Sequence, residues 1–322
     1  MTGAEAVARA LADELAADPT VMVFGADVAA AGGRAGTTAG LLETFGPERI
    51  RDTSLSPSVV VGAALGAATL GVRPVVDLTT AGLVGLGFDQ IVNQLGKYRY
   101  QTGGQVSVPV TLRMTTGSGT GAGPQQAQAA ENWFLNVPGL RIAVPGTVAD
   151  LYGLLRSAIR DDNPVLVFEH QSLYELAGDL DSDAAVVPLG VADVARRGSD
   201  VTIVASQVLR HRCLEAADVL ADEDIEATVI DPRTLVPFDD LAVARSLEST
   251  SRLAVVQEAP PNGSWGSALV ARMLQSHFFL FDAPPLLIAA DETPVPAARS
   301  LESAWLPSVE RIVAEVRSQV ES

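Results

Sequence analysis

Short apolar runs alternate with helical stretches along the whole chain, and this alternation limits the possible folds more than any other feature. In the first half, Val21–Phe24, Pro74–Leu78, Val108–Arg113, Leu140–Val144 and Val165–Phe168 read as buried strands. Helical patterns accompany them at Glu5–Ala17, Ser58–Leu70, Phe88–Tyr98, Gln126–Leu135 and Val148–Arg160. Thr147 and Asp150 give the last of these a capping-box-like start. Strands that are apolar on both faces and joined through helices pair in parallel inside an α/β domain. A second series follows, with strands at Val201–Ala205, Ala227–Ile230, Leu253–Gln257 and Leu286–Ala290. Its helices fall near Val208–Ala221, Asp239–Leu247, Ser267–Gln275 and Pro307–Val320. The stretch Ala177–Asp183 (AGDLDSD) is acidic and aperiodic, as a linker would be. The reading is α/β: two doubly wound domains, spanning residues 1–183 and 184–322.

Composition agrees and removes several classes of function. The chain has 322 residues, 48% hydrophobic and 19% charged, which suits large cores and not disorder. A formal charge of −17 argues against nucleic acid, because phosphates would be repelled. That charge either solvates the surface or meets an electropositive protein. The N-terminus carries acidic residues at helical spacing and does not read as a signal peptide. A lone cysteine, Cys213, rules out an internal disulfide framework and fits a cytoplasmic protein. From Thr53 to Val72 there is no charge, yet the apolar part is short and rich in Gly and Ala. That suits a buried helix better than a bilayer span, so no membrane partner is expected.

Ser56 and Pro57 open that bare helix, with a hydroxyl placed to cap it and proline at its first position. Gly62 and Gly66, flanked by alanines, allow another backbone to approach closely, within the domain or across a subunit interface. Autonomous catalytic motifs are missing. There is no G-x-x-x-x-G-K-[ST] loop, and Thr116–Gly123 (TGSGTGAG) reads as a mobile or close-packed loop before a phosphate cradle. His170, His211 and His277 lie far apart without metal-ligand spacing, and the latter two read as solvated. Residue chemistry by itself stops at a two-domain α/β protein.

Longer strings carry more. Asp89–Gly104 (DQIVNQLGKYRYQTGG), Pro138–His170, Ile230–Asp239 (IDPRTLVPFD) and Val255–Met273 (VVQEAPPNGSWGSALVARM) occur in order. Together they resemble the beta subunit of the thiamine diphosphate-dependent decarboxylating component of 2-oxo acid dehydrogenases, of pyruvate, branched-chain and acetoin type, related to transketolase. The resemblance implies a transketolase-like pyrimidine-binding domain followed by a transketolase C-terminal-type domain. It also implies an α2β2 assembly in which an alpha-type partner supplies the magnesium and diphosphate motif, a GDG followed by an asparagine pair. Here the one Gly-Asp step, Gly178-Asp179, precedes Leu180 and lies in the linker. Thiamine diphosphate with magnesium would therefore be shared with the partner. A lipoyl acyltransferase or carrier protein is a further partner the family allows. The pattern also places a potassium site, mostly of backbone oxygens, at Val110, Ala158, Ile159, Asp161 and Asn163; an ordinary helix C-terminus is the alternative there.

Cofactor-pocket positions by the same resemblance are Leu55, Pro57, Thr79 and Leu83, with Gln126 at the catalytic position. Three depart from the family. Where the family has DTPLSE, this chain has DTSLSP, so Pro57 replaces the glutamate that hydrogen-bonds the aminopyrimidine and promotes loss of the thiazolium C2 proton. Leu83 stands for the aromatic that stacks on the pyrimidine, with Leu78 and Ala81 at neighbouring aromatic positions. Gln126, in GPQQAQ, stands for a histidine and cannot titrate near neutrality. The expected function is a beta-type subunit with altered chemistry, acyl or ketol transfer. The alternatives are a non-catalytic pseudo-subunit that scaffolds or regulates an alpha-like chain, and a thiamine-independent activity on the same fold.

Overall fold

The computed structural model describes residues 1–180 and 186–321. In chain order the strands are β1 (Val21–Gly25), β2 (Ile50–Asp52), β3 (Arg73–Thr80), β4 (Thr111–Thr116), β5 (Arg141–Ala143), β6 (Val165–His170), β7 (Asp193–Arg196), β8 (Val201–Ala205), β9 (Ala227–Asp231), β10 (Thr234–Val236), β11 (Leu253–Gln257) and β12 (Leu286–Ala289). They form a seven-stranded sheet, β10-β5-β6-β4-β3-β1-β2, and a five-stranded sheet, β12-β11-β8-β9-β7. Pairing is parallel throughout except at β10 and β7, which are antiparallel edge strands. Two mixed, mostly parallel sheets thus match the two α/β series.

Burial explains why these runs become central strands. Every residue of β4, β6, β8, β9 and β11 is buried, as strands covered by helices on both faces must be. The helix Gly3–Ala17 packs on Val148–Arg160 through Val7, Leu11, Leu15, Leu151 and Leu155. Its start is a capping box between Thr2 and Glu5. In the second half Val208–Ala221 packs against Val309–Val320 around Cys213, whose thiol pKa burial pushes well up and so out of reactive range.

Several local expectations change. The strand expected at Val108–Arg113 begins at Thr111 and runs on to Thr116, because the Val108 N–H turns to the Asp162 carbonyl and the Val110 N–H to that of Val108. The Phe88–Tyr98 stretch contains a π-helical segment, Gln90–Leu95, before an α turn. Gln126–Leu135 is not one helix: a short helix ends at Gln126, Ala129 takes ψ 72°, and a 3-10 turn covers Ala130–Phe134. Ser56 makes no cap to the Pro57–Thr69 helix; its hydroxyl meets Ser54 instead. The linker region Ala177–Asp183 ends outside the described residues, as does the 183/184 boundary. Its first residues are stitched to the N-terminus by the Thr2–Ala177 bridge and the Gly178 N–H bond to the Met1 carbonyl. Among the described residues, no helix is long and apolar enough to cross a membrane.

The two halves are closely joined. β10 comes from the second half yet extends the first sheet beside β5. His211, expected in solvent, is half-buried and its Nε2 lies 2.7 Å from the Gly146 carbonyl. Gln207 donates to the Phe168 carbonyl, and Trp265 N–H donates to Asn132.

Candidate functional site

Loops at the carboxyl ends of β1, β2, β3 and β4 converge on a cavity of 530 Å³, the place where open α/β sheets offer ligand crevices. Ala26 and Asp27 follow β1, Thr53 and Leu55 follow β2, and Gly82 and Leu83 follow β3. Gln125 and Gln126 come from the short helix after the glycine-rich loop. The expected positions Leu55, Thr79, Leu83 and Gln126 therefore line one cavity. Pro57 lies in a tight adjoining recess lined by Ala26, Thr53, Leu55, Asp77 and Leu78. Gly82 approaches so closely that a Cβ there would sit 2.3 Å from the Gln125 carbonyl oxygen, so only glycine lets these two loops meet.

Thr79 is held in an unusual conformation. Its φ is +63°, an outlier for a β-branched residue, at a bulge between β3 and β4. Asp77 fixes it by accepting the Thr79 N–H at 2.7 Å. Strain of this kind is retained where neighbours over-determine it, and here it turns Thr79 into the cavity.

Beneath the wall lies a buried ionic network. Arg113 donates to Glu169 through Nε at 2.9 Å and Nη2 at 2.7 Å, to Thr37 at 3.2 Å, and to Asp77. Tyr174 donates its hydroxyl to Glu169. Burial alone would lower the Arg113 pKa; Asp77 and Glu169 outweigh it and hold the guanidinium well above its ordinary value.

The glycine-rich loop packs closely, one of the two readings left open by the sequence. A Cβ at Gly117, with φ +89°, would sit 2.1 Å from the His170 ring. Ser118 N–H donates to Glu258 at 2.5 Å, and His170 Nε2 lies 3.0 Å from the same carboxylate. Gly121 N–H donates to Glu302. Burial opposes charge on Glu258, and His170 with Ser118 overcomes it, keeping the carboxylate below the usual range. Nearby Glu131 has no such cation: burial pushes it up to about 8, with Glu258 adding to the rise against its own backbone bond.

The cavity can accept a flat ring by size, and Leu55 and Leu83 give it some apolar surface among mostly polar lining residues. Its donor set does not suit activation of an aminopyrimidine, since Pro57 offers neither carboxylate nor N–H. Among the lining residues the one carboxylate is the exposed Asp27 and the one guanidinium is Arg34. Arg34, Asp27, Thr53, Thr80 and Gln125 were not singled out from sequence; the signal was a solitary arginine between glycines in AAAGGRAGTTAG.

The turn after Val148–Arg160 gathers the potassium positions. The carbonyls of Ile159 and Asp161 both accept from Arg73 Nη1, at 3.1 and 3.0 Å, so they converge on a cation, a guanidinium. The Ala158 carbonyl accepts from Asp161 N–H, that of Val110 from Val165 N–H, and the Asn163 side chain from Arg99. For magnesium, no group of three or more carboxylates, histidines or cysteines forms among the described residues.

Residues 1–176 match the domain family described as transketolase, pyrimidine binding domain, and residues 190–312 match transketolase, C-terminal domain. The chain is 39% identical to the acetoin:2,6-dichlorophenolindophenol oxidoreductase subunit beta of Bacillus subtilis, over 96% of this chain and 94% of that one. It is 39% identical to the 3-methyl-2-oxobutanoate dehydrogenase subunit beta of Mycobacterium tuberculosis, over 97% and 90%. With the pyruvate dehydrogenase E1 component subunit beta of Leifsonia xyli the identity is 40%, over 94% and 90%. A solved structure described as "Split gene transketolase, inactive beta4 tetramer" superposes with a TM-score of 0.82 at 23% identity, covering 100% of this chain and 98% of that one, a likeness of fold.

Proposed function

The chain belongs to the transketolase-like family of E1 beta subunits of acetoin, branched-chain and pyruvate dehydrogenases, and from that membership we propose that it works as the beta-type half of an α2β2 complex with altered chemistry. The observation that carries this is the cavity wall: Leu55, Thr79, Leu83 and Gln126 meet at one site while the recess beside it ends in Pro57. When bound, thiamine diphosphate supplies a carbanion-forming carbon for acyl or ketol transfer. This chain's part is to present the pyrimidine side of the site: Leu55 and Leu83 exclude water, and Gln126 hydrogen-bonds without exchanging a proton near neutrality. Diphosphate and magnesium fall to the alpha-type chain. The single buried cysteine is consistent with a cytoplasmic setting.

A pseudo-subunit that scaffolds or regulates its partner is the second reading, favoured by the loss of both titrating groups at Pro57 and Gln126. The bare helix serves either reading, since Val59, Ala63, Gly66 and Leu70 leave an exposed apolar face. Potassium at the Ala158–Asn163 turn is part of the proposal: carbonyl oxygens have two lone pairs, and Arg73 uses one on each of two. A higher melting temperature in potassium than in sodium supports the ion; identical curves remove it.

The deciding experiment is co-purification with an alpha-type chain carrying the GDG motif, followed by native mass analysis. A heterotetramer with thiamine diphosphate supports the catalytic subunit, and one without cofactor supports the pseudo-subunit. Failure to assemble, or tight cofactor binding by this chain alone, overturns the proposal.

A further inference from the structure

The glycine-rich loop that leads to Gln125 and Gln126 has no backbone framework of its own. Its glycines, Gly117, Gly119, Gly121 and Gly123, all take φ between +72° and +102°. Among the described residues, Gly117–Ala122 exchange no backbone hydrogen bonds with one another. Such a chain has much conformational freedom to lose, so its shape must come from its neighbours. The start of the loop is held within the first half, where the Gln171 amide donates to the Gly117 carbonyl at 2.6 Å. Further along, two carboxylates of the second half take over. Glu258 accepts the Ser118 N–H, and Glu302 accepts the Gly121 N–H at 2.9 Å.

The two carboxylates differ in what else they hold. Glu258 also meets His170 Nε2 at 3.0 Å and so belongs to the contact between the halves. Glu302, on the short helix Arg299–Trp305, is 1% exposed, and its second oxygen, Oε1, is buried without a hydrogen-bond partner. A buried carboxylate with one oxygen unpaired costs stability, so cohesion of its own helix does not explain it. Its contact with the loop does. Next to it, Ala297 touches the loop as well: a Cβ at Gly121 would sit 3.3 Å from the Ala297 carbonyl oxygen. Ala122 packs on a small cluster made by Ala127, Ala290, Val295, Trp305 and Leu306. The stretch Gly121–Ala127 thus rests on the second half, while Gln125 and Gln126 within it line the cavity.

We propose that Glu302 is a positioning residue for Gln125 and Gln126. By holding the Gly121 N–H it sets where the short helix Gly123–Gln126 stands, so the second half aims a wall that the first half builds. A carboxylate accepting a backbone N–H is a stronger tether than a neutral pair, and it suits a loop that cannot hold itself. The effect reaches past the glutamines, because the Gln125 carbonyl oxygen fits against Gly82, the residue before Leu83. The inference rests on the beta-subunit reading only in taking Gln126 for a working group of the site.

The test is amide hydrogen exchange on the full chain, read at Ala127, whose N–H closes the short helix on the Gly123 carbonyl. Glu302→Leu should speed exchange there about tenfold, the shift expected from losing one charge-assisted bond. Amides of β8, in the core of the second half, should keep their rates, because the unpaired buried oxygen is removed with the contact. Glu302→Gln leaves an oxygen for the Gly121 N–H and should exchange close to the wild-type rate. Glu315→Gln, which loosens a surface pair with Arg311, should change nothing. An unchanged rate at Ala127 in Glu302→Leu, or equal acceleration in Glu302→Gln, overturns the proposal. Acceleration of the β8 amides alongside Ala127 also overturns it, since Glu302 would then hold up the second half itself. The same measurement with an alpha-type chain added separates the two readings. Dependence of Ala127 on Glu302 without any assembly upholds this inference and sinks the subunit reading; assembly with Ala127 indifferent to Glu302 gives the reverse.

Discussion

The cavity wall and the layer directly beneath it follow opposite rules. Beneath, Asp77, Arg113, Glu169 and Tyr174 are buried, and each is hydrogen-bonded within the network. At the wall and its adjoining recess stand Leu83, Gln126 and Pro57, the three positions that the resemblance of strings aligns with an aromatic, a histidine and an acid. Paired charge is therefore kept where Asp77, Arg113 and Glu169 join strands β3, β4 and β6, while Pro57, Leu83 and Gln126 offer no group that titrates near neutrality. On the reading proposed above, the scaffold is retained while the chemistry at its surface differs.

Breaking the lower layer should have the largest effect. Arg113→Met leaves Asp77 and Glu169 buried without their cation and should cost about 3–5 kcal/mol in chemical denaturation. A loss below about 1 kcal/mol would show that the network is not structural, and the contrast with the wall would vanish.

Next comes the clasp between the halves, where Glu131 lies near Glu258. With Glu131 at about 8 in the native state against 4.5 as reference, the folded chain keeps a proton that the unfolded chain releases across that window. Stability from this group is present below 4.5 and falls as pH rises towards 8, by at most about 1.4 kcal/mol per pH unit. Asp231, raised to about 8 by burial and by neighbouring Asp150, adds a loss of the same sign. Glu131→Gln should therefore flatten the fall in melting temperature between pH 5 and pH 8; an unchanged profile would place the titration elsewhere.

The smallest effect belongs to the wall. Leu83→Phe should tighten thiamine diphosphate in the assembled complex by about 0.5–1.5 kcal/mol, read by calorimetry, because an offset ring contact returns. No change would mean that the pyrimidine does not lie against Leu83.

Much of this was legible in the sequence for a physical reason. Runs such as Val201–Ala205 and Leu253–Gln257 are apolar on both faces, and only a covered central strand uses such a run. Edge elements give no such signal. β10 is three residues long, and nothing in the composition of TLV says that it crosses to the other sheet. The break at Ala127–Ala129 was hidden because alanine and glutamine favour helix, while packing of the glycine-rich loop against Glu258 and Glu302 governs that stretch. Leu55, Thr79, Leu83 and Gln126 were found through likeness of strings, and their convergence needed the loops after four strands. Arg34 escaped because an aperiodic, glycine-rich turn does not tell where its one long side chain will point.

The central claim is that this wall lacks the group that activates thiamine. It is tested most directly by the exchange rate of the cofactor's C2 proton in the assembled complex, wild type against Pro57→Glu. The account predicts slow exchange in the wild type and an increase of about 10²-fold or more in the variant, the usual contribution of a placed acid or base. Exchange in the wild type as fast as in the variant would contradict it.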